Sequence, residues 1–476
     1  MLFNSLQFFL FFVIVTTAYF IIRHKYRWFL LLASSCYFYM AFVPVYILIL
    51  GFTIVIDYVA GIYLEASKGK KRKRFLVASL VANIGVLAVF KYYNFLNGNI
   101  TALLYGAGYQ NPIPYLSILL PIGLSFHTFQ AMSYTIEVYR GNQKAERNFG
   151  IYALYVMFYP QLVAGPIERP QNLLQQFYEK HEFDYDRVVQ GLKMMLWGFF
   201  KKLVIADRLA IYVNVVYDNP GQHSGITLIM ATIFFAVQIY CDFSGYSEIA
   251  IGAARVMGFK LMTNFNRPYF ARDIAEFWKR WHISLSTWFK DYLYISLGGN
   301  RVSIPRWYFN LFFVFLISGL WHGANWTFII WGAINGAYLV FAIIFKNTSN
   351  KFNAATGLNK LPRLKHFLQI ATTFLLVCFS WIFFRANNLA DAFVIIKKMT
   401  TLQGSLYYDN ISMLLYSFVA IAFLFLAESK VEYFRGNISL FNSSNSLVRN
   451  LSYAAVIIMI LLLGVFDGGQ FIYFQF

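Results

Sequence analysis

Charge is scarce in this chain: only 13% of its 476 residues are Asp, Glu, Lys or Arg, where a soluble globular domain carries about 25%. That shortage excludes an ordinary soluble enzyme. Cysteine is nearly absent, and the three present, Cys36, Cys241 and Cys378, lie far apart without a CxxC pair, which excludes a disulfide framework and a zinc site. Pro at 11 and Gly at 30 are too few for a collagen-like or low-complexity chain. No GxSxG elbow, P-loop, HExxH or strand-preceded GxGxxG is found. What fills the chain instead is apolar and aromatic, 59% and 20%. Runs such as Ser5 to Ile22, Phe367 to Phe384 and Ile411 to Ala427 have the length and lack of charge of a bilayer-crossing helix, about 20 residues for a core of about 30 Å. The composition is that of a polytopic membrane protein.

Acid is the scarcer sign, 21 Asp+Glu against 40 Lys+Arg, leaving a formal charge of +19. In a soluble protein this would suggest nucleic acid; in a membrane protein it reports topology, because basic loops resist translocation and meet anionic lipid on the cytoplasmic face. No nucleic-acid partner is therefore expected. The basic stretches Arg23 to Arg27, Lys68 to Arg74, Arg140 to Arg147, Lys346 to Lys365 and Lys430 to Arg449 go inside. Ser5 to Ile22 then runs inward, Trp28 to Ala41 outward, Val45 to Leu64 inward, Phe75 to Leu96 outward and Ile118 to Tyr139 inward. Near the end Phe367 to Phe384 leads out, Ile411 to Ala427 back in and Leu451 to Phe466 out, which leaves the tail Asp467 to Phe476 external. Both termini are expected outside. No basic n-region precedes Leu10 to Ile22, so the first helix is expected to remain as an uncleaved span.

Between Tyr152 and Trp307 the apolar runs are broken by Pro160, Pro166, Pro170, Pro268 and Pro305. Irregular backbone survives at membrane depth only where it lines a cavity or is buried in protein, so this third reads as the functional core. Repeats and long linkers are missing, and residues 1–476 are taken as one transmembrane domain.

His322 sits in Leu320-Trp321-His322-Gly323-Ala324-Asn325-Trp326, within the apolar stretch Phe309 to Phe345. Burial there favours a neutral imidazole, a usable general base; the alternative is a ring satisfied by a backbone carbonyl. His282, in Phe277-Trp278-Lys279-Arg280-Trp281-His282-Ile283-Ser284, falls on an amphipathic interfacial helix with Trp278, Trp281 and Trp288 on one face; it is either a catalytic residue or an incidental histidine in a tryptophan belt. Asp273, Glu276 and Arg280 lie on another face, with Glu276 and Arg280 at pairing distance. Lys279, Arg280, Lys290 and Arg301 either hold a phosphorylated donor or form a solvated rim. Tyr240-Cys241-Asp242-Phe243-Ser244 ends an apolar run, so Asp242 is a buried functional carboxylate or a helix cap. Ala164-Gly165-Pro166-Ile167-Glu168-Arg169-Pro170 is a kinked loop, and His127 reads as structural. A metal would need three or four ligands; His282 and His322 supply two.

Two motifs, RPYFARDIAEFWKRWHISLSTWFKDYLYISLGGNR (Arg267 to Arg301) and LWHGANWTFIIWG (Leu320 to Gly332), resemble those of the membrane-bound O-acyltransferases. AGPIERP and YCDFSGYSEIAIG support the likeness, which covers nearly the whole chain. The relevant branch is the bacterial one that includes alginate O-acetylation proteins and the D-alanyl transfer proteins of lipoteichoic acid. The resemblance implies an all-α polytopic fold, a ring of tilted and re-entrant helices around a central funnel, in the bacterial cytoplasmic membrane. It implies His322 as the essential histidine and His282 as the second active-site residue, one taking a hydroxyl proton and the other orienting the donor or stabilising the oxyanion. Trp281, Trp321, Trp326, Asn325, Asp242, Ser244, Lys279 and Arg280 become tunnel or donor-binding candidates. The implied donor is acetyl-CoA or an acylated carrier protein, with no permanently bound cofactor, and the acceptor is an extracellular or cell-wall polysaccharide.

The tail, Phe471-Ile472-Tyr473-Phe474-Gln475-Phe476, is similar to the F-x-Y-x-x-F ending of the small partner protein of the D-alanyl relay. That likeness implies Tyr473 as an acyl relay to an extracytoplasmic SGNH-hydrolase-like transferase; an aromatic interfacial anchor is the alternative. D-alanyl or lipid acyl transfer on the same fold, and a transporter or flippase, are the competing readings.

Overall fold

The computed structural model describes residues 1–117, 121–434, 441, 443–466 and 471. Helices make up its regular structure, and among the described residues no strand occurs. Among the described residues eight helical stretches are long and apolar enough to cross a membrane: 46–66, 69–106, 225–257, 304–322, 326–344, 362–385, 411–433 and 446–463. The protein is an all-α, multi-pass membrane protein. Its chain separates into two compact units, one of Met1–Met195 with Ile249–Met262, the other of Leu196–Glu248 with Thr263–Ile472.

The first unit begins with α1 (Leu6–Ile21), α2 (His24–Met40), α3 (Tyr46–Ala66), α4 (Gly69–Leu87) and α5 (Tyr93–Gly106), then α6 (Leu124–Arg140), α7 (Phe149–Met157) and the single turn α8 (Pro170–Leu173). A π-helical turn, Ala88–Tyr92, joins α4 to α5 as one long stretch. Polar groups inside these helices find partners across the seams, as an apolar interior requires. Asp57 of α3, fully buried, accepts from Ser79 Oγ at 2.6 Å and from Asn83 Nδ2 at 2.9 Å, both on α4.

The stretch read as a span at Ile118 to Tyr139 is α6, which starts at Leu124 after the left-handed Gly123 and stops at the left-handed Gly141. It is enclosed by protein rather than lipid. Its buried polar residues close on local carbonyls, Thr128 on Leu124 and Ser133 on Phe129, and Gln130 donates to the Tyr155 carbonyl at 2.5 Å. His127 Nε2 bonds the Leu162 carbonyl at 2.5 Å, in line with its structural reading. Residues 158–167, leading into AGPIERP, are buried without helix. Glu168 closes that loop, accepting from the Met262 amide at 2.5 Å while its carbonyl accepts from Tyr155 Oη at 2.9 Å.

The chain continues through α9 (Tyr185–Phe199), α10 (Asp207–Asp218) and α11 (Gly225–Met257), the 33-residue helix that carries YCDFSGYSEIAIG in its middle. Between α9 and α10 lies a seven-residue π-helical segment, Phe200–Ala206. Short helices α12 (Ile274–Arg280) and α13 (Ile283–Trp288) follow. Then come α14 (Ile304–His322), α15 (Trp326–Ile344), α16 (Lys346–Ala355), α17 (Pro362–Arg385), α18 (Leu389–Thr401), α19 (Ile411–Tyr433) and α20 (Ser446–Leu463).

Candidate active site

The motif LWHGANW folds as the corner of a helical hairpin, so the apolar stretch around His322 is two helices rather than one. His322 is the last residue of α14, Gly323 is extended, and Asn325 caps α15 by accepting from the Thr327 amide at 3.0 Å. A side chain at Gly323 would meet the Phe328 ring, its Cβ falling 2.1 Å from Cδ2. Asn325, proposed from its motif as a donor contact, is thus a helix cap. Its amide nitrogen donates to the Asn387 carbonyl at 3.2 Å.

His322 is buried against aromatic faces: ring centroids lie 4.9 Å from Trp321, 4.8 Å from Trp331 and 5.5 Å from Phe384. Its Nδ1 is 2.7 Å from the Ser318 carbonyl. A carbonyl can only accept, so Nδ1 carries the proton and in the neutral ring Nε2 carries the lone pair. The ring is satisfied by a backbone carbonyl, the alternative named for it, and that carbonyl also sets the tautomer.

His282 does not lie on a continuous interfacial helix. Asp273 starts α12, its side chain accepting from the Glu276 amide at 2.8 Å, and Glu276 reaches back to the Arg272 amide at 2.9 Å, a relative of the capping box. The expected Glu276–Arg280 pair forms at 2.7 Å. The helix then breaks because its next amides are taken elsewhere. Ile283 N–H donates to the Asn264 carbonyl at 2.8 Å and Ser284 N–H to Asn264 Oδ1 at 3.2 Å, while the Arg280 carbonyl accepts from Asn266 N–H at 2.9 Å. His282 is left at the bend with φ of +41°, in the left-handed region, a backbone that costs about 1–2 kcal/mol for a side-chain-bearing residue. Trp278, Trp281 and Trp288 therefore do not share one face; Trp281 turns into the core, with ring centroids 5.5 Å from Phe277 and 5.1 Å from Trp381.

The bend brings the two histidines to the same aromatic wall. The Trp321 ring lies 6.4 Å from His282 and 4.9 Å from His322, and Phe243 of α11 meets His282 edge-on at 4.5 Å. His282 belongs to the segment between membrane-spanning helices, and burial, with His322 nearby as the lesser cause, pushes it well below the usual histidine range. Phe471, in the expected tail, is buried and packs on Phe243 and Tyr246, at centroid distances of 5.5 and 4.7 Å. Tyr473 lies outside the described residues.

The other candidates divide. Trp321 packs on both histidines, Trp281 sits in the core on Phe277 and Trp381, and Trp326 is 50% exposed. Lys279 is exposed. Arg280 is committed to Glu276 and to Glu432 of α19, the latter at 2.8 Å, and Glu432 also takes Arg267 at 2.8 Å; its charge is neutralised within the protein. Asp242 stands in the interior of α11, not at a helix end, and is no cap. It pairs with Lys202 at 2.7 Å, one residue from the His282-packing Phe243, and Ser244 is fully buried beside it.

Lys202 and its neighbour Lys201, in the π-helical segment, escaped notice in the sequence although FFKKLVIAD sets two cations in an apolar run. Lys202 also meets Asp207 at 2.8 Å; Lys201 meets Glu248 at 2.8 Å and Glu428 at 3.6 Å, and Tyr240 Oη donates to Glu428 at 2.5 Å. Two ammoniums thus face four carboxylates. Burial alone would lower Lys202, but Asp242 and Asp207 outweigh it and hold it above its ordinary value. Asp207 is pushed up to about 7 by burial, against the pull of Lys202 and with repulsion from Asp242. An unfolded aspartate titrates near ~3.9, so between these values the folded chain holds the proton more tightly than the unfolded one. That contribution to stability is full below the unfolded value and is lost as pH rises through the folded one. The melting temperature of the detergent-solubilised protein is expected to fall across this window, and Asp207→Asn to flatten the fall; an unchanged slope would remove Asp207 as its source.

Residues 145–368 match the model of the membrane-bound O-acyltransferase family, and these contain both histidines. The chain is 39% identical over 434 residues to the "Probable alginate O-acetylase AlgI" of Pseudomonas aeruginosa, covering 90% of this chain and 81% of that protein. The chain belongs to the membrane-bound O-acyltransferase family. It is also 35% identical to the peptidoglycan O-acetyltransferase of Helicobacter pylori, over 79% of this chain and 74% of that one. The teichoic acid D-alanyltransferase of Streptococcus thermophilus is 29% identical over 56% and 69%. This O-acyltransferase accordingly carries an acyl-transfer site, and within the matched residues Trp321 packs against both His282 and His322.

Proposed function

We propose that the protein moves an acetyl group from cytoplasmic acetyl-CoA to an acceptor on the outer side of a bacterial cytoplasmic membrane, for O-acetylation of a polysaccharide. The observation that carries this reading is the Ser318 carbonyl bond, which keeps the lone pair of His322 on Nε2. In the step proposed, His322 Nε2 takes the proton of an acceptor hydroxyl as its oxygen attacks the thioester carbonyl. The tetrahedral intermediate then expels the thiolate, which recovers that proton from the imidazolium. An acetyl donor is favoured over D-alanine because the alginate- and peptidoglycan-modifying relatives match more of the chain, at higher identity, than the D-alanyltransferases do.

The acceptor proposed in the chain itself is Tyr473; the positive-inside bias of the loops supports an outer position for it and for both termini. In this reading its hydroxyl is acetylated through the membrane and the acyl group passes to an extracytoplasmic SGNH-hydrolase-like transferase. What supports this reading is Phe471, two residues earlier, which is buried and packs on Phe243, the ring that meets His282. The test is purified protein in vesicles with acetyl-labelled acetyl-CoA, following CoA release and label on the protein. Wild type is expected to release CoA and take label, and Tyr473→Phe, which lacks the accepting hydroxyl, to take no stable label and to release CoA only as far as water replaces it as acceptor. Equal labelling of Tyr473→Phe would remove the relay and leave the transferase; no release of CoA by wild type would remove acetyl-CoA as donor.

A further inference from the structure

Asn264 is not among the residues that sequence motifs single out, yet it holds the bend that carries His282. It is fully buried, and every polar atom of its side chain is engaged. Oδ1 accepts from Ser284 N–H at 3.2 Å, from Ser284 Oγ at 2.9 Å, and lies 3.1 Å from His282 Nδ1; Nδ2 donates to Ser247 Oγ at 3.1 Å. The orientation of the amide follows from its neighbours. An amide N–H such as that of Ser284 has nothing to accept with, so the atom facing it must be the oxygen. The same oxygen faces His282 Nδ1, and two lone pairs would repel there, so that nitrogen must carry the proton. Ser284 Oγ, 3.4 Å from Nδ1, is closer to Oδ1 and spends its hydrogen there.

We propose that Asn264 is a positioning residue, which fixes His282 as the Nδ1–H tautomer so that its ring presents an Nε2 lone pair to the acyl-transfer site. A neutral ring so held accepts a hydrogen bond and cannot donate one from Nε2. His282 then orients a hydroxyl-bearing acceptor group by taking its hydrogen bond, rather than stabilising an oxyanion, a role for which Nε2 would need a proton. His282 and His322 are alike in this respect: each has its Nδ1 proton claimed by an oxygen of the protein, and each turns a basic Nε2 outward from that bond. This role rests on the acyltransferase reading above, whereas the tautomer itself does not. Partners that hold the far nitrogen of a metal-bound histidine cost about 10- to 100-fold when removed, and an effect of the same order is expected where Asn264 holds His282.

Nitrogen-15 spectra of histidine-labelled protein in detergent read the tautomer directly, with His282→Gln assigning the resonance. The expected result is a protonated Nδ1 and an unprotonated Nε2 for His282 at neutral pH; the reverse pattern would overturn the proposal whether or not acyl transfer is the activity. Two variants read its consequence. Asn264→Asp keeps the acceptor and adds charge beside Nδ1, which favours the imidazolium, so the acid limb of the turnover profile should move to higher pH. Asn264→Ala should cost about 10- to 100-fold in turnover with a His282 resonance no longer confined to one tautomer. A merely structural asparagine would lower folded yield without moving the acid limb. If Asn264→Ala does not fold, the wild-type spectrum and the Asn264→Asp profile still decide; an unmoved limb in Asn264→Asp with wild-type turnover would overturn the positioning role.

Discussion

His322→Ala is expected to lower turnover by about 10²- to 10⁴-fold, the range that a positioned general base contributes, while folded yield in detergent stays close to wild type. The separation of the two effects follows from how the ring is held. The hydrogen bond at its Nδ1 runs to a carbonyl within its own helix, Ser318 of α14, at 2.7 Å, so deletion leaves that carbonyl with its place at a helix end, where open carbonyls are ordinary. What is lost in packing is a ring among Trp321, Trp331 and Phe384, large side chains that continue to bury one another. The chemical loss has no such substitute. His282, the other imidazole on this wall, is fixed by the bend at Asn264 and cannot swing to the His322 position without releasing the Ser284 and Ile283 amides. Hydrolysis or transfer measured as CoA release should therefore drop in His322→Ala and recover little on raising pH, because no protonation change restores a missing base. Turnover within a few-fold of wild type in a folded His322→Ala protein would end the assignment of this residue as the base.

What could be read from the sequence, and what could not, divides along a physical line. Long apolar runs between basic clusters are local properties, and α3, α17 and α19 sit where the hydropathy places them. Glu276 and Arg280 are also local, four residues apart on one helix, and they pair as expected. The Gly323 corner and the Asn325 cap are written in WHGANW, but the apolar stretch masked them, since an unbroken hydropathy profile cannot tell one long helix from a tight hairpin. The break at Trp281–His282 depends on something no local pattern contains. Asn264 stands 18 residues away from His282 and withdraws two amides that α12 would otherwise have used. In the same way Asp242 looked like the end of a run because the partner that tolerates it inside a helix, Lys202, lies 40 residues earlier in a different segment. Tertiary capture of polar groups is thus the part of the site that sequence alone leaves hidden.

The second large effect is expected at a glycine far from any proton. Gly332 and Gly336 on α15, four residues apart, and Gly319 on α14 form the seam between the two helices of the hairpin, and side chains there are excluded by backbone. A Cβ at Gly332 would fall 2.4 Å from the Phe315 carbonyl oxygen and 3.1 Å from Gly319 Cα; one at Gly319 would fall 2.3 Å from the Phe328 carbonyl oxygen. Small residues of this kind let membrane helices approach closely enough for van der Waals packing, which must stand in for the hydrophobic drive that lipid cannot supply. Because the obstructing atoms are main chain, no rotamer change relieves the clash, and the helices must separate. Gly332→Ala is expected to cost on the order of the 1–3 kcal/mol typical of overpacking, and Gly332→Leu to abolish the folded peak in size-exclusion of detergent extracts. Gly85 on α4 supplies the control, since a Cβ there meets nothing within 4 Å. Gly85→Ala should melt at or slightly above wild type, as a helical glycine replaced without strain does. Any Gly332→Ala protein that does fold should release less CoA per folded molecule, because His322 ends the helix whose approach has been disturbed. Equal melting of Gly332→Ala and Gly85→Ala would mean that the seam is looser than the packing of Phe315 and Phe328 requires, and that the His322 position is set by the aromatic wall alone.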